Sequence, residues 1–327
     1  MISRREGVIL GYSFTTELRI MSQRIVMTGA TGLIGSRVAR ELQRRGDHVT
    51  ALTRNPKHAE EALPDGVDVL RWLSGEDDDD WAAAIDGADA VMHLAGESIA
   101  EERWTDEYKQ RIYDSRIDTA AKLIAAIEAA SSRPAVMISA SAVGYYGDTG
   151  DTEVDENAGP GKDFLAALCI DWEGAVEKAR DHGVRVVTTR FGLVLARNGG
   201  VLDKLLTPFK MFAGGPVGNG EQWFPWVHVD DVVGLLLHAL DNAEVSGPLN
   251  AVAPGILRNR AFAEALGEAI NRPARFSVPA FVIKLAMGEL GETLLGGQRA
   301  RPTRSLESGY EFKYPDIGPA LADLVTS

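Results

Sequence analysis

From Arg24 onward, short apolar runs alternate with longer stretches whose hydrophobic positions recur every three or four residues. Arg24 to Thr28, His48 to Leu52, Val67 to Leu70, Ala88 to Leu94, Ala135 to Ser139 and Val184 to Thr189 read as strands. Between them, Gly32 to Arg45 places Ile34, Val38, Ala39 and Leu42 on one helical face, and Gly46 stops it. A short helix is predicted over Trp81 to Ile85 and longer ones over about Asp106 to Ala130 and Phe164 to His182. In the longest, Ile112, Ile117, Ala120, Leu123, Ile124 and Ile127 face inward. Strands separated by helices of this length predict βαβ units and a parallel sheet covered on both faces.

After about Leu195 the rhythm changes. Asn198 to Gly220 is rich in Gly and carries Pro208 and Pro216, the pattern of a lid or connector. Val229 to Leu240 is helical again, with Asp230 or Asp231 placed to cap it, and Pro248 to Val252 can return a strand to the sheet. Beyond Ala253, short elements split by prolines predict a small α/β cap. The fold expected is therefore a doubly wound α/β sheet with a small C-terminal α/β domain. Residues 1–20 read as an extension or alternative start ahead of Met21. Residues 21–195 with 227–252 form the nucleotide-binding domain, and 196–226 with 253–327 the cap.

Composition narrows the partners. The chain has 327 residues and a formal charge of -13, a sign that repels phosphate backbones and anionic lipid. The acidic run Glu76 to Asp80 reads as a solvated loop. A lone cysteine, Cys169, can make no internal disulfide, which fits a reducing compartment. No apolar run approaches the ~18 residues that span a membrane. The expectations are a small-molecule substrate, no nucleic acid and no membrane.

Thr28-Gly29-Ala30-Thr31-Gly32-Leu33-Ile34-Gly35 joins the first strand to the first helix. Gly29 suits a tight turn; Gly32 and Gly35 allow close approach to a pyrophosphate and helix–strand packing. The helix N-terminus offers free N–H groups to that anion. Where a carboxylate would select NAD by gripping its ribose, the second strand ends in Thr53-Arg54. Arg54 can hold a 2′-phosphate in a bidentate fork, so NADP is the expected cofactor.

This loop, His93-Leu94-Ala95-Gly96, the run Ser139 to Gly147 (SASAVGYYG) and Val227-His228-Val229-Asp230-Asp231 together resemble the extended short-chain dehydrogenase/reductase superfamily. Met287-Gly288-Glu289-Leu290, Gly297-Gln298-Arg299 and Ser308 to Pro315 are similar to the C-terminal domain of its atypical "epimerase family" branch. The resemblance runs from about Arg24 to the end. It implies a Rossmann-type fold and a cytoplasmic, NADP-binding protein. Thr31, Leu33 and Ile34 join the three glycines at the pyrophosphate, and Ala95 with Gly96 contacts the adenosine side or the nicotinamide ribose. It also suggests that the two long helices pair across a homodimer.

Two departures bear on chemistry. Ordinary members use a Tyr-x-x-x-Lys pair, in which the lysine helps a phenol exchange a proton near neutral pH. None of the seven tyrosines here is followed by lysine four residues on, and the aligned positions hold Leu165 and Cys169. Ser141 matches the superfamily serine and, with Tyr145, is placed to polarise the reacting oxygen; Tyr146 and Glu97 are further candidates. Phe224 stands where nucleotide-sugar epimerases carry an arginine for the substrate diphosphate, with Trp223 and Trp226 beside it as a pocket wall or an interdomain core. Arg190, Arg197 or the cluster Arg299, Arg301 and Arg304 are the conceivable replacements. The histidines show no metal-ligand spacing.

Three functions are compatible with these residues. The leading one is an NADP(H)-dependent oxidoreductase acting on a small carbonyl or hydroxyl compound. The second is an NADPH-binding sensor without turnover, and the third a nucleotide-sugar epimerase.

Overall fold

The computed structural model describes residues 22–72, 80–197 and 199–325. The N-terminal extension, and the acidic run apart from Asp80, lie outside the described residues. In chain order the first part comprises β1 (Arg24–Thr28), α1 (Gly35–Arg44), β2 (His48–Thr53), α2 (Pro56–Ala62), β3 (Asp68–Arg71), α3 (Asp80–Ala83) and β4 (Ala90–His93). There follow α4 (Asp106–Ala129), β5 (Val136–Ala142), β6 (Glu153–Val154), α5 (Phe164–Glu177) and β7 (Arg185–Phe191).

Seven parallel strands form the central sheet in the order β11-β7-β5-β4-β1-β2-β3, where β11 is Gly247–Ala251. The chain winds outward from β1 through β2 to β3, then returns to place β4 on the other side of β1. That reversal makes the β1/β4 junction the topological switch point, where doubly wound sheets bind ligands. Val38, Ala39 and Leu42 of α1 pack on one face of the sheet, together with Leu235, Leu236 and Ala239. On the other face lie Ala120, Leu123 and Ile127 of α4 with Trp172 and Val176 of α5. The strand positions follow the predicted runs closely, as does the return of β11 to the sheet edge.

The remaining elements are β8 (Leu193–Ala196), α6 (Gly200–Lys210), β9 (Trp223–Phe224), β10 (Trp226–His228), α7 (Val229–Asp241) and β12 (Leu257–Arg258). The chain ends with α8 (Asn259–Ala269), α9 (Ala280–Met287), α10 (Glu289–Leu295), β13 (Arg299–Ala300), α11 (Thr303–Glu307) and α12 (Ile317–Val325). A separate apolar cluster joins Leu202 and Phe209 of α6 to Phe224, Trp226, Phe262 and Leu321. Phe224 stacks on Phe262 at 4.0 Å, so Phe224 and Trp226 serve this core.

Several expectations are corrected. The Gly-rich stretch after Asn198 is no loose connector: α6 occupies eleven residues of it, with Pro208 near its C-terminal end, where few later turns depend on the missing N–H. The first helix starts at Gly35, three residues later than predicted, because Gly32 is still in the turn and donates to the Gly29 carbonyl. The helix from Phe164 ends as α-helix at Glu177 and tightens to a 3₁₀ turn over Lys178–His182.

Neither aspartate caps α7. His228 does so, its Nδ1 accepting from the Asp230 N–H at 3.0 Å. Asp231 is fully buried and accepts from the Lys313 N–H at 2.7 Å, the Tyr314 N–H at 2.9 Å and the Tyr310 hydroxyl at 3.1 Å. One carboxylate thus fastens the C-terminal segment to the sheet-covering helix. Asp231→Ala leaves those donors without an acceptor and should cost about 2–4 kcal/mol in urea unfolding. Asp230→Ala removes only an exposed pair with Lys313 and should cost less than about 1 kcal/mol. Equal losses from the two variants would refute the clamp.

Candidate functional site at the carboxyl edge of the sheet

The strands bury polar groups toward their carboxyl ends, among them Thr28, His93, Ser141, Thr189, Arg190 and Asn250. Buried polar side chains need partners, and two networks supply them for all of these but Thr189, whose hydroxyl has none among the described residues.

The first lies at the switch point. Gly29 turns the chain at φ +69°, and a Cβ there would meet the Leu94 carbonyl carbon at 2.6 Å. A Cβ on Gly35 would lie 2.1 Å from the Gly29 oxygen. Both positions therefore require glycine. Gly32 is less constrained, its Cβ position being 3.2 Å from the same oxygen. Among the described residues, the N–H groups of Thr31, Leu33 and Ile34 have no acceptor, which leaves donors free at the start of α1 for an anion. Arg54 follows β2 on the surface and, among the described residues, carries no ion pair. The cradle, the helix N-terminus and this free guanidinium fit the pyrophosphate and 2′-phosphate of NADP.

Beneath the loop, the Ala95 N–H donates to Thr28 Oγ1 at 3.2 Å, and Thr28 Oγ1 lies 2.8 Å from His93 Nδ1. Thr119 Oγ1 donates to the Ser115 carbonyl and lies 3.4 Å from His93 Nε2. These roles assign a neutral ring with its proton on Nε2. Ala95 is thereby held in place, while Gly96 lies against the Arg116 guanidinium, 3.0 Å from where a Cβ would sit.

The second network joins β5, β7 and β11. Arg190 donates to both carboxylate oxygens of Glu173, each at 2.8 Å, and to the Tyr146 hydroxyl at 2.9 Å. Its guanidinium also lies 3.5 Å from the centroid of the Tyr145 ring. Ser141 donates to Glu173 Oε1 at 2.6 Å, and the Tyr146 hydroxyl to Asn250 Oδ1 at 2.8 Å. Burial opposes the charge on Arg190, but its bonds to Glu173 outweigh it and hold the group firmly protonated. Burial pushes the Tyr146 phenol up to about 12 in spite of Arg190.

Of the predicted residues, Ser141 is only 2% exposed and turns its hydroxyl to Glu173. Tyr145 is half-buried, and among the described residues its hydroxyl has no partner. The backbone of Glu97 is held by Ser115 and Arg116. Leu165 packs on Gly144, and Cys169 is buried. Burial first, then Glu173, pushes its thiol up to about 11. Sequence shows no basic neighbour for Cys169, yet folding brings the Arg116 charge near it.

The arginines considered for a diphosphate are engaged elsewhere. Arg190 binds Glu173, and Arg197 donates to the Asp323 carbonyl. Arg299 and Arg301 pair with Glu153, and Arg304 donates to Asn157. Sequence reasoning missed the partnership of Glu173, Arg190 and Asn250. The available signal was a charged residue ending an otherwise apolar strand, since an arginine is almost never buried unpaired.

Comparison with known proteins agrees with this architecture. Residues 25–252 match the NAD dependent epimerase/dehydratase family, and residues 278–324 match a domain of unknown function, DUF1731. The chain is 40% identical over 299 residues to a chloroplastic epimerase family protein SDR39U1 homolog of Arabidopsis thaliana, covering 91% of this chain and 85% of that one. It is 41% identical over 307 residues to the Mycobacterium leprae epimerase family protein ML0860, covering 92% and 95%. A crystal structure of human epimerase family protein SDR39U1 (isoform 2) with NADPH superposes with a TM-score of 0.83 at 35% identity, covering 92% of this chain and 98% of that one. Among the described residues no helix is long and apolar enough to cross a membrane, and no group of His, Cys, Asp and Glu could hold a metal ion.

Burial first, and then the Arg116 charge, push the His93 imidazole down to about 4. Unfolding returns the ring to water, where it titrates near 6.5 and takes up a proton that the folded protein refuses. Stability from this group is intact above about pH 6.5 and should fall by about 3 kcal/mol as the pH drops to 4. Unfolding free energies measured at pH 7 and 4 should show that loss in the native sequence and a shallower one in His93→Gln. Parallel pH curves would contradict the assignment.

Proposed function

As this chain belongs to the NAD dependent epimerase/dehydratase family, we propose that it is an NADP(H)-dependent oxidoreductase of the short-chain type, acting on a small carbonyl or hydroxyl compound. The observation that carries this reading is the glycine cradle at the switch point, with Arg54, which among the described residues has no ion pair, at the end of the neighbouring β2. The NADPH in the human relative's crystal structure supports the same cofactor.

Gly29, Thr31, Gly32, Leu33, Ile34 and Gly35 hold the pyrophosphate, Arg54 the 2′-phosphate, and Ala95 with Gly96 the adenosine side or the nicotinamide ribose. The nicotinamide supplies or accepts the hydride. Tyr145 gives a proton to the substrate oxygen in reduction and removes it in oxidation, since among the described residues its hydroxyl has no partner, where that of Tyr146 is engaged and pushed up by burial. Ser141 acts one step back: its bond to Glu173 helps to fix Arg190, on which the Tyr145 ring rests. Residues 196–226 and 253–327 form the substrate side of the cleft, and the single cysteine suits a reducing, cytoplasm-like compartment.

A second reading, an NADPH-binding sensor, is favoured by Leu165 and Cys169 in place of the proton-transfer pair. The Arg190 network also reaches the C-terminal segment, where Asn250 Nδ2 donates to the Arg301 carbonyl. Literal nucleotide-sugar epimerisation has less support, given buried Phe224 and the engaged arginines.

Arg54→Ala should weaken NADPH binding roughly 10- to 100-fold, the equivalent of a lost charged hydrogen-bonded contact, and leave NADH unchanged. Fluorescence titration with both nucleotides checks this, and equal losses would refute the 2′-phosphate role. NADPH consumption across a panel of aldehydes and ketones, abolished in Tyr145→Phe with NADPH affinity retained, would establish turnover. NADPH binding without consumption of any of them would favour the sensor.

A further inference from the structure

The helix α9, Ala-Phe-Val-Ile-Lys-Leu-Ala-Met, has a single charged residue, Lys284, whose ammonium is 3.1 Å from Glu292. None of its residues is buried; Phe281 and Leu285, one turn apart, are 70% and 74% exposed. A surface helix normally buries such a stripe, and an uncovered apolar patch marks a binding surface.

Contacts connect this helix to the candidate site. The turn after α9 is Gly288, at φ +61°, and a Cβ there would lie 3.4 Å from the Arg103 guanidinium. The next residue, Glu289, pairs with Lys109. The Lys109 ammonium lies 5.1 Å from the Phe164 ring and 5.9 Å from that of Trp104, and these two half-buried rings meet edge to face at 5.1 Å. Leu165, next in the chain, sits 3.2 Å from the Cβ position of Gly144, which precedes Tyr145. A chain of contacts therefore runs from the backbone beside Tyr145 through the apolar side chains of Leu165, Phe164 and Trp104 to Lys109, whose pair with Glu289 reaches the turn that carries α9. Arg190, Arg197, Arg299, Arg301 and Arg304 are engaged with protein groups, and Arg54 is taken by the 2′-phosphate in the cofactor reading. Arg103 beside this turn is exposed and, among the described residues, has no ion pair; one guanidinium is too little for the two charges of a diphosphate.

Resting on the cofactor site proposed above, we propose that the substrate is a carbonyl or hydroxyl compound with an extended apolar body and no diphosphate, and that Trp104, Phe164, Leu165 and the uncovered face of α9 wall its cleft. The polar end of such a compound lies at Tyr145, and its hydrocarbon leaves water along Phe281 and Leu285. Burial of apolar surface supplies the binding free energy that a phosphate clamp supplies in a sugar-nucleotide site.

The test uses the full chain saturated with NADP⁺, which cannot reduce a ketone, and titrates it by calorimetry with 2-octanone and separately with UDP-glucose. The ketone should bind and UDP-glucose should not. Phe281→Ser with Leu285→Ser, both at exposed positions that leave folding intact, should raise the Kd for 2-octanone roughly ten-fold or more while NADP⁺ affinity stays unchanged. Binding of UDP-glucose, failure of 2-octanone to bind, or an unaltered ketone Kd in the double variant would each overturn the proposal. So would dissociation of a dimer by the double variant with the ketone Kd unchanged, which would make the face a contact between copies. Failure of NADP⁺ to bind would instead overturn the cofactor reading, and the ketone titration repeated without nucleotide would still decide the wall.

Discussion

The bidentate pair between Arg190 and Glu173 is the constraint on which the carboxyl edge of the sheet depends. Placing a guanidinium at the end of a central strand removes it from water, and only a matched carboxylate with further acceptors makes that tolerable. A buried pair of this kind adds little net stability over a well-packed apolar alternative, but loss of one partner leaves an uncompensated charge. It therefore specifies geometry more than it stabilises the fold. Glu173 must sit on the buried face of α5, Ser141 must turn toward it, and both Tyr145 and Tyr146 must lie against the guanidinium. Through Tyr146 and Asn250 the same constraint extends to the backbone of Arg301, so the chain's C-terminal segment is registered against the sheet.

The switch point is organised on the opposite principle. There the backbone is kept bare: glycines at 29 and 35 allow contacts that no side chain could survive, and free N–H groups remain at the start of α1. The supporting polar chain of Thr28, His93 and Thr119 lies beneath the loop and fixes Ala95. Backbone donors left free in one half of the edge and a guanidinium engaged by protein groups in the other are what an anionic cofactor beside an uncharged substrate would require.

Much of this was legible because periodicity reports burial directly. The alternation of apolar runs and amphipathic stretches gave the strand order its raw material, and Thr53-Arg54 stood out because a single position decides the charge at the end of β2. Misreadings arose where a local rule competed with a distant partner. Asp230 and Asp231 carry the usual capping signature, yet Asp231 is drawn away by donors at 310, 313 and 314, and His228 fills the vacancy. Gly and Pro around α6 read as breakers, but tertiary packing of Leu202 and Phe209 against Phe262 and Leu321 outweighs the propensity cost. Two-residue strands such as β6 and β13 carry no period at all. Glu173 and Arg190 are seventeen residues apart, and sequence spacing gives no reason to join them.

The loss of the Tyr–Lys pair is better understood as a relocation of charge than as a deletion. With Leu165 and Cys169 at the expected positions, α5 brings no cation to the site, and burial keeps the thiol protonated. The cation comes instead from β7, a central strand, and its mobility is taken away by Glu173 one helix turn beyond Cys169. A lysine on a helix can swing between cofactor and phenol; a guanidinium held by two hydrogen bonds and stacked on Tyr145 cannot. The proton transfer proposed for Tyr145 would take place with a fixed positive charge against its ring. On the proposed reading, specificity would rest with uncharged groups, and the neighbouring cluster of Leu165, Phe164 and Trp104 is apolar.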